Sequence, residues 1–363
     1  MFENSTWTSM DAWYDEWRDR YPVASADDPV RFAVVGLGGF AREYALPAIE
    51  SADGCEATVA VSGSPETAAN VVAAHGMDRH LTYEAYADGV GTADYDAVYV
   101  ATPHARHAEH VETAARHGKA VLCEKALAAT TDGAERIVEA VESAGVPFAV
   151  AYRMQFAPAV CYARHLVATG FVGEPAHVHA DFSVRMLADP ATPNDAWRLD
   201  PDLAGGSALV DLGLYPLNTT RFVLDDDPVR VRGETSSPHA AFDAVDEHVA
   251  FTMRFESGAH AVCTASQHAH ESHHLRVVGS EGAVTLEPVF FEGAPQTVRL
   301  ERGGRTTTVE LGPVEQLPRQ FAAFAGSVSR GIDPEPGVRE GLRDTRLLAA
   351  IYDSAADGVA VDV

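Results

Sequence analysis

Two short stretches of the chain hold side chains that are suited to acid–base chemistry. The first is Glu124-Lys125, which directly follows the apolar run AVLC. Only two of the 27 basic residues are lysines, Lys119 and Lys125, so a lysine kept at this position indicates a specific use. The second stretch runs from Asp211 to Tyr215, and a helix there would place the carboxylate and the phenol on one face.

A lysine beside a tyrosine can make the phenol a proton acceptor. An isolated tyrosine has a pKa of about 10 and is a poor base near neutral pH. A nearby ammonium favours the phenolate and brings that pKa closer to the working pH. If the fold brings the two stretches together, Tyr215 is predicted as general base, Lys125 as its electrostatic partner and Asp211 as the group that orients Lys125 or a substrate hydroxyl. The alternative for Tyr215 is a half-buried helix tyrosine without a catalytic role.

A glycine-rich turn predicts a dinucleotide site. Gly36-x-Gly38-x-x-Ala41 follows an apolar strand pattern and opens a helix. In this context the glycines allow a tight turn and a close approach of the backbone to a pyrophosphate, which the helix N-terminus faces. The residues predicted to line this part of the cofactor site are Gly36, Leu37, Gly38, Gly39, Phe40, Ala41 and Arg42.

The end of the second predicted strand distinguishes NADP from NAD. An NAD site usually has an acidic residue here to bind the ribose 2′-hydroxyl. This chain has Ser62-Gly63-Ser64 instead, and the nearest acid is Glu66. Hydroxyls and backbone N–H groups would donate hydrogen bonds to a 2′-phosphate, and Arg42 could add positive charge. We predict NADP, with NAD as the alternative because no basic residue closely follows Ser64.

Further cofactor contacts are predicted at the carboxyl ends of the next strands. Thr102, Pro103 and His104 follow the strand YDAVYVA, near the nicotinamide half of a bound dinucleotide. His107 either holds this loop in place or is a solvated helix histidine. Glu124 and Lys125 end the following strand at the same edge, where Glu124 would fix the loop.

The elements that must position these residues can be read from the alternation along the chain. From residue 31 to about 152, short β-rich runs alternate with helical patterns, which indicates βαβ units and a parallel Rossmann-type sheet. Later segments alternate apolar and polar residues between turn signals and predict a large open, mostly antiparallel sheet, followed by two terminal helices. We predict an α/β fold with a helical arm at 1–30, a dinucleotide domain at 31–151 and an α+β domain at 152–363.

The chain resembles the glucose–fructose oxidoreductase, inositol dehydrogenase and MocA (Gfo/Idh/MocA) family. The resemblance is carried by VGLGGFA, VATPHARHA, VLCEKALA, AYRMQFAP and WRLDPDLAGGSALVDLGLYPLN, in the family's order from residue 31 onward. It implies that Lys125 lies beside the nicotinamide and the reacting carbinol, and that the open sheet forms a homodimer or homotetramer. One departure is Ala126, where the family has proline after the lysine, so this turn lacks the rigid residue that the family places there.

Many members of the family have histidine at the position of Tyr215. With tyrosine there, this chain resembles the branch of the family that oxidises aldoses at C1. The resemblance implies NADP-dependent oxidation of D-xylose, D-glucose or a related sugar to the lactone. The alternatives are a sugar transhydrogenase with tightly held NADP and a non-catalytic ligand sensor; inositol oxidation is disfavoured because the histidine motif is absent. Candidates for the sugar pocket are Arg153, Trp197, Arg198 and Asn218.

The composition excludes several other classes of function. The net charge of −26, with acids spread along the chain, predicts a cytoplasmic protein of a high-salt cell, where surface repulsion is screened. It argues against nucleic-acid binding, which needs a basic surface. We expect no transmembrane helix and no signal peptide, and the four irregularly spaced cysteines indicate free thiols. The histidine-rich segment QHAHESHH lacks a tight ligand spacing, so we predict no metal and expect these side chains between two strands, on an exposed sheet face or at a subunit contact.

Overall fold

The computed structural model describes residues 13, 28–188, 196–313 and 315–363. Most of the amphipathic arm predicted near residues 8 to 21 lies outside the described residues. Its described member, Trp13, is helical and buried, and its ring lies 5.1 Å from the ring of Tyr162. At this tryptophan, the start of the chain contacts the body of the protein.

The first half of the chain forms a sheet of six parallel strands. They are β1 (Val30–Val35), β2 (Cys55–Val61), β3 (Arg79–Leu81), β4 (Ala97–Val100), β5 (Ala120–Cys123) and β6 (Phe148–Val150). Their order in the sheet is β3-β2-β1-β4-β5-β6, so the direction of winding reverses between β1 and β4. In open sheets of this type, ligands bind outside the carboxyl ends of the strands at such a switch point.

Helices join these strands: α1 (Leu46–Ser51), α2 (Pro65–His75), α3 (Tyr83–Ala87), α4 (His107–Arg116) and α5 (Thr131–Ala144). A π-helical turn, Ala41–Ala45, leads directly into α1. The predicted Rossmann-type alternation is confirmed, but the sequence reading missed β3 and α3. Because these two elements have three and five residues, neither is long enough to show a period.

The second half of the chain is built on a nine-stranded sheet, with order β14-β13-β12-β11-β7-β10-β9-β8-β15. Its central strand β7 pairs in parallel with β10, and the other pairs are antiparallel. The prediction of a mostly antiparallel sheet is therefore confirmed. The strands are β7 (Pro175–Arg185), β8 (Pro228–Ser236), β9 (His248–Phe255), β10 (His260–Ser266), β11 (His268–Gly279), β12 (Gly282–Glu287), β13 (Gln296–Arg302), β14 (Arg305–Leu311) and β15 (Val361–Asp362).

The second half of the chain also contains five described helices. They are α6 (Pro158–Ala168), α7 (Pro201–Ala204), α8 (Leu214–Leu224), α9 (Gln316–Arg330) and α10 (Val338–Asp357). The helices α8 and α10 cover one face of the sheet, against β7 and β8 respectively. Helix α9 instead returns to the first sheet, where Phe321 packs edge-on against Phe32 at 5.6 Å and Tyr99 at 5.0 Å. One of the two predicted terminal helices, α9, therefore packs against the dinucleotide-binding half.

The histidine-rich segment differs from expectation. The side chains of His268 to His274 lie within β11, not between two strands, and the pairing with β7 is interrupted after His268. His273 is largely buried and its Nδ1 lies 2.8 Å from the carbonyl oxygen of Val289. Among the described residues no group of histidine, cysteine or acidic side chains is arranged to hold a metal ion. In the same part of the chain, no helix is both long and apolar enough to cross a bilayer.

Candidate active site

The glycine-rich turn between β1 and the first helix leaves an open surface for a ligand backbone. Gly36 has a φ of +92°, and a Cβ there would lie 2.6 Å from the carbonyl oxygen of Ala101, so only glycine fits. Gly38 has no heavy atom within 4 Å of a Cβ position and is exposed. Leu37 and Ala41 are buried on the other side of the turn. This arrangement matches a cradle for a pyrophosphate at the start of a helix.

Polar groups at the ribose end of this surface are available for a charged ligand. Arg42 is exposed, and its side chain makes no hydrogen bond or ion pair to any described residue. Ser64 caps α2 by accepting from Thr67 N at 3.2 Å, and Ser62 accepts from Ser64 N at 3.1 Å. Gly63 is exposed between the two serines. The loop thus presents hydroxyls, an exposed glycine and a nearby unpaired guanidinium.

The loop after β4 is fixed by buried histidines. His107 is fully buried; its Nε2 lies 2.9 Å from the carbonyl oxygen of Thr102 and its Nδ1 3.1 Å from that of Leu127. It therefore holds the loop in place, and the alternative of a solvated helix histidine is wrong. The Thr102 hydroxyl is buried and has no hydrogen-bond partner within the described ranges. Such an orphaned group fits a site whose remaining partner is a ligand.

The neighbouring His104 is also buried. Its Nδ1 lies 2.9 Å from the carbonyl oxygen of Ala204, and its ring meets the ring of Trp197 edge-on at 4.8 Å. Burial lowers the pKa of His104 to about 3, so the imidazole is neutral over the working pH range. His104 therefore joins the two halves of the molecule without adding charge to the site.

Lys125 and Asp211 form the centre of the site. The Lys125 ammonium donates to the carbonyl oxygen of Asp211 at 2.9 Å and to its Oδ1 at 3.0 Å. The other carboxylate oxygen accepts from Arg198 Nε at 2.8 Å and from Gln267 Nε2 at 3.1 Å. The exposed fractions of the Lys125 and Asp211 side chains are 13% and 12%, so the pair is shielded but still reachable. One carboxylate thus links three polar side chains from separate parts of the chain.

Burial and neighbouring charges shift the pKa values of Lys125 and Asp211 in opposite directions, and the charges have the larger effect on both. Burial lowers the pKa of Lys125, but the Asp211 carboxylate outweighs it and the net pKa is raised. Burial also tends to raise the pKa of Asp211, but the Arg198 and Lys125 cations hold it below its usual range. At neutral pH, Lys125 is a protonated donor and Asp211 is an ionised acceptor.

The Tyr215 ring lies between cationic groups and aromatic walls. The Lys125 Nζ is 4.7 Å from the ring centroid and the Arg153 Cζ is 4.9 Å from it. The phenol oxygen accepts from Arg153 Nε at 3.2 Å. Phe182 meets the ring edge-on at 5.1 Å. Negative charge that develops on the phenol oxygen would therefore face two cations in a partly apolar surrounding.

Local backbone structure brings the second stretch to the first. Asp211 lies in a π-helical segment, Ala208–Gly213, that continues into α8; such insertions are often found at functional sites. A Cβ on Gly205 would lie 2.3 Å from the carbonyl oxygen of Ala129, just beyond the Lys125 turn, so the two segments touch through backbone. The peptide between Lys125 and Ala126 is cis.

Two carboxylates fix the segments around the site. Asp246 accepts from Ser207 N at 2.7 Å and from Leu209 N at 2.6 Å, and thereby holds the start of the π-helical segment. Glu124 accepts from the Tyr99 hydroxyl at 2.7 Å and from Lys125 N at 3.2 Å. Burial raises the pKa of Glu124, partly offset by these donors. The predicted loop-fixing position of Glu124 is therefore present in the structure.

Of the four sugar-pocket candidates, Trp197 and Arg198 are half-buried, whereas Arg153 and Asn218 are buried and bonded to other side chains. Arg198 is bound to Asp211 and its guanidinium lies 4.6 Å from the Trp197 ring, and both side chains are only half-buried. The Asn218 amide is buried, with its Nδ2 2.7 Å from Asp344 Oδ2. Arg153 is buried and donates to the Tyr215 oxygen, to Gln316 Oε1 and to the carbonyl oxygen of Phe290. Helical spacing and the order of the motifs place these four residues near the Lys125–Tyr215 site. Neither predicts the direction in which a side chain points.

The sequence reading missed Gln267, Asp246 and Glu292. Gln267 follows β10 and continues the inward phase of Ala261, Cys263 and Ala265. A polar residue at an inward strand position is a signal that could have identified it. No such signal marks Asp246 or Glu292, because both lie in loops and act through contacts distant in sequence.

Comparison with known proteins agrees with this geometry. Residues 30–152 match the family model described as "Oxidoreductase family, NAD-binding Rossmann fold". Residues 160–285 match the model of the GFO/IDH/MocA C-terminal domain. The two matches together cover both the parallel sheet and most of the nine-stranded sheet.

Similar proteins include two D-xylose 1-dehydrogenases and one aldose-aldose oxidoreductase of solved structure. The chain is 41% identical to the D-xylose 1-dehydrogenase [NADP(+)] of Haloarcula marismortui, over 93% of this chain and 94% of that one. It is 31% identical to the D-xylose 1-dehydrogenase (NADP(+)) 2 of Haloferax volcanii, over 92% and 99%. The crystal structure of aldose-aldose oxidoreductase from Caulobacter crescentus, complexed with glycerol, superposes with a TM-score of 0.86 at 30% identity, over 92% and 100%.

Proposed function

The chain belongs to the Gfo/Idh/MocA family of oxidoreductases, and we propose that it oxidises an aldose at C1 to the lactone with NADP as the hydride acceptor. D-Xylose is the first substrate to test, because two similar proteins bear that activity in their names. The observation that carries the proposal is the contact between the Lys125 ammonium and the Tyr215 ring, with Nζ 4.7 Å from the ring centroid. An oxidation of a carbinol needs such a proton acceptor beside the reacting carbon.

The residues around the glycine-rich turn fit NADP. The open backbone at Gly38 suits the pyrophosphate, and Arg42 with Ser62 and Ser64 suits a 2′-phosphate. The orphaned hydroxyl of Thr102 lies at the nicotinamide end of the same edge. When bound, NADP supplies the carbon that accepts hydride.

The chain's own residues then handle the proton and the sugar hydroxyls. Acting as a phenolate that faces the Lys125 and Arg153 cations, Tyr215 accepts the proton of the C1 hydroxyl and becomes a neutral phenol. Lys125 has a further N–H for the sugar because two of its three donors are used by Asp211. Arg198 and Trp197 stand at the half-exposed rim and would contact the remaining hydroxyls and the sugar ring.

We further propose that the enzyme works as a homodimer or homotetramer in a high-salt cytoplasm. The face of the nine-stranded sheet that no helix covers carries Val262, which is 45% exposed on β10. A second copy of the chain would cover this face. The four cysteines are free thiols, which fits a reducing compartment. Light scattering in multimolar KCl, with Val262→Asp to disrupt the face, tests the assembly.

A second candidate function is transfer of hydride between two aldoses by permanently bound NADP. It is favoured by the similarity to the Caulobacter crescentus aldose-aldose oxidoreductase. The two candidates differ in cofactor exchange. Release of about one equivalent of NADP from freshly purified, denatured protein, with no turnover of added NADP, would favour this alternative.

The direct test is formation of NADPH in multimolar KCl over a panel of aldoses and inositols, with NAD in parallel. The proposal predicts turnover of D-xylose or another aldose with NADP, and little turnover of inositols. If a folded protein that binds NADP oxidises none of the sugars, it is a ligand sensor rather than a dehydrogenase.

A further inference from the structure

We propose that Arg153 is a positioning residue for the reaction: it fixes the phenol of Tyr215 in its reactive orientation and is itself held by Glu292 and the segment around Phe290. This inference rests on the proposed function, and it replaces the sugar-ligand role that the sequence predicts for Arg153. It is argued from the guanidinium contacts, from the segment that accepts them and from the direction left open at the phenol oxygen.

The guanidinium of Arg153 is almost fully used by the protein. Its Nε donates to the Tyr215 oxygen at 3.2 Å, and its Nη1 donates to Gln316 Oε1 and lies 3.6 Å from Met154 Sδ. Its Nη2 donates to the carbonyl oxygen of Phe290. Four of its five N–H groups are thus accounted for. A side chain that is buried and bonded in this way has no pair of parallel donors left for a sugar.

One acceptor of Arg153, the carbonyl oxygen of Phe290, lies in a segment whose backbone is unusual. Phe290 is fully buried and has a φ of +72°, a left-handed conformation that a bulky side chain rarely adopts. Residues held in such conformations occur often at functional sites, where the surroundings determine them. Here the conformation accompanies a carbonyl oxygen that accepts from the Arg153 guanidinium.

Glu292 connects this segment to helix α9. Its Oε1 accepts from Gln316 N at 2.6 Å and from Leu317 N at 3.2 Å, at the start of α9. Its Oε2 lies 3.7 Å from Arg153 Nη1 and has no hydrogen-bond partner within the described part of the chain. The same carboxylate therefore fixes the helix start and sets the negative charge behind the guanidinium. Arg153 is held from both ends, by Tyr215 at one and by Glu292 and Gln316 at the other.

This arrangement has a directional consequence for the phenol. Because the Tyr215 oxygen accepts from Arg153, its remaining lone pair and its own hydrogen must point away from the guanidinium. A small displacement of a reacting group can lower the rate greatly even when binding is unchanged. An arginine supplies this contact at every working pH, whereas a lysine has neither the planar fork nor the same reach.

The test compares Arg153→Lys with Arg164→Lys as a matched control. Arg164 also stacks on an aromatic ring, with its Cζ 4.5 Å from the Phe222 centroid, and also donates to a carbonyl oxygen, but it lies outside the site. We expect R153K to lower kcat about 10- to 100-fold with the KM for the aldose changed less than about threefold. R164K should leave both constants within about twofold. Glu292→Gln, which keeps the size and the acceptor of Glu292, should lower kcat in the same direction by a smaller factor.

A double-mutant cycle separates positioning from a general structural effect. Because Arg153 acts through the phenol oxygen, R153K should cause no further loss of kcat in a Tyr215→Phe background. An equal loss in both backgrounds would overturn the proposal. So would a rise of tenfold or more in the KM for the aldose at unchanged kcat, because that result assigns Arg153 to the sugar.

A measurement without substrate tests the contact between Arg153 and the Tyr215 phenol separately from the proposed enzymatic function. In protein labelled at the phenolic carbon of tyrosine, the NMR signal of Tyr215, assigned by its loss in Y215F, should shift in R153K and stay in place in R164K. If the wild type oxidises no aldose, the proposed function fails, and this shift alone decides the role of Arg153. An unchanged signal in R153K would contradict the contact itself.

Discussion

The chain's two lysines stand at opposite ends of one strand, β5, and they differ in the partner that each one has. Lys119 precedes the strand, and its Nζ donates to the carbonyl oxygen of Tyr95 at 2.8 Å and lies 5.1 Å from the centroid of that ring. Lys125 follows the strand and lies 4.7 Å from the Tyr215 ring, but it also binds Asp211. Burial lowers the pKa of Lys119, whereas the pKa of Lys125 is raised despite burial.

The difference shows that a lysine over a tyrosine ring is not by itself a catalytic arrangement. Both lysines have an aromatic neighbour, yet only Lys125 stands at the carboxyl edge of the parallel sheet, where a dinucleotide and its substrate bind. Only Lys125 has a buried carboxylate partner and a tyrosine hydroxyl within the same site. Position in the sheet and the carboxylate partner separate the two.

The largest expected effect comes from replacing each lysine by methionine. Lys125→Met should lower kcat/KM about 10³-fold or more, because the phenolate form of Tyr215 loses a cationic partner and the sugar loses a donor. Lys119→Met should stay within about twofold of the wild type, since Lys119 lies at the other end of the strand. Steady-state kinetics with NADP and the best aldose measure both. Equal losses in the two variants would break the comparison.

The next effect comes from removing the carboxylate that distinguishes the two lysines. Asp211→Asn should lower the free energy of unfolding by about 3–5 kcal/mol, because Lys125 and Arg198 lose the negative charge that compensates them in a shielded site. The same substitution should lower kcat about 100-fold. Asp96, which is near Lys119 and pairs with Arg31 at 2.8 Å, provides the control. Asp96→Asn should cost no more than about 1 kcal/mol and leave kcat unchanged. Denaturant melts and kinetics on the same preparations check both values, and a D211N enzyme of normal rate would refute the role given to Asp211.

A smaller effect is expected at the other end of the cofactor edge. Arg42→Ala should raise the KM for NADP about tenfold without changing kcat, because the 2′-phosphate loses a charge-assisted partner. The KM for NAD should not change, and Arg116→Ala, an exposed change on α4, should alter neither constant. If R42A affects NAD and NADP alike, the arginine contacts the pyrophosphate instead.

The smallest effect extends the comparison from lysines to buried histidines. Burial lowers the pKa of His110 to about 4, below the value of about 6.5 that it has in an unfolded chain. Since the unfolded state binds the proton first, the stability contributed by neutral His110 is complete above about pH 6.5 and falls by about 1.4 kcal/mol per pH unit down to about pH 4. The stability of His110→Gln relative to the wild type should therefore improve by that amount per unit as the pH falls, in melts at constant KCl. A constant difference would show that His110 takes up its proton at the same pH in the folded and the unfolded protein.

The sequence predicts most of the site because the decisive residues follow strands or share a helix face. Gly36, Lys125 and Tyr215 each sit in a pattern whose geometry is general: a strand–turn–helix, the end of a parallel strand, a helical spacing. The contact between Lys125 and Asp211 joins segments 86 residues apart, and the resemblance to the family, not the spacing, brought them together in the prediction.

The remainder depends on side-chain direction and on loops. Asn218 is near the helix face that was predicted, but its amide turns to Asp344, which lies 126 residues later in the chain. Arg153 turns to a loop conformation at Phe290 that no local pattern specifies. Such contacts arise from tertiary packing, which overrides local preference and leaves no period in the sequence.

The most direct test of the central claim follows the hydride itself. D-Xylose carrying deuterium at C1, or the best aldose of the panel, is oxidised with NADP in multimolar KCl, and the NADPH formed is analysed for deuterium by mass spectrometry. The account predicts that the NADPH of the wild-type and K119M enzymes carries the label and that K125M and Y215F form almost none. Unlabelled NADPH from the wild type, or labelled NADPH at an undiminished rate from K125M, would contradict C1 oxidation at the Lys125–Tyr215 site.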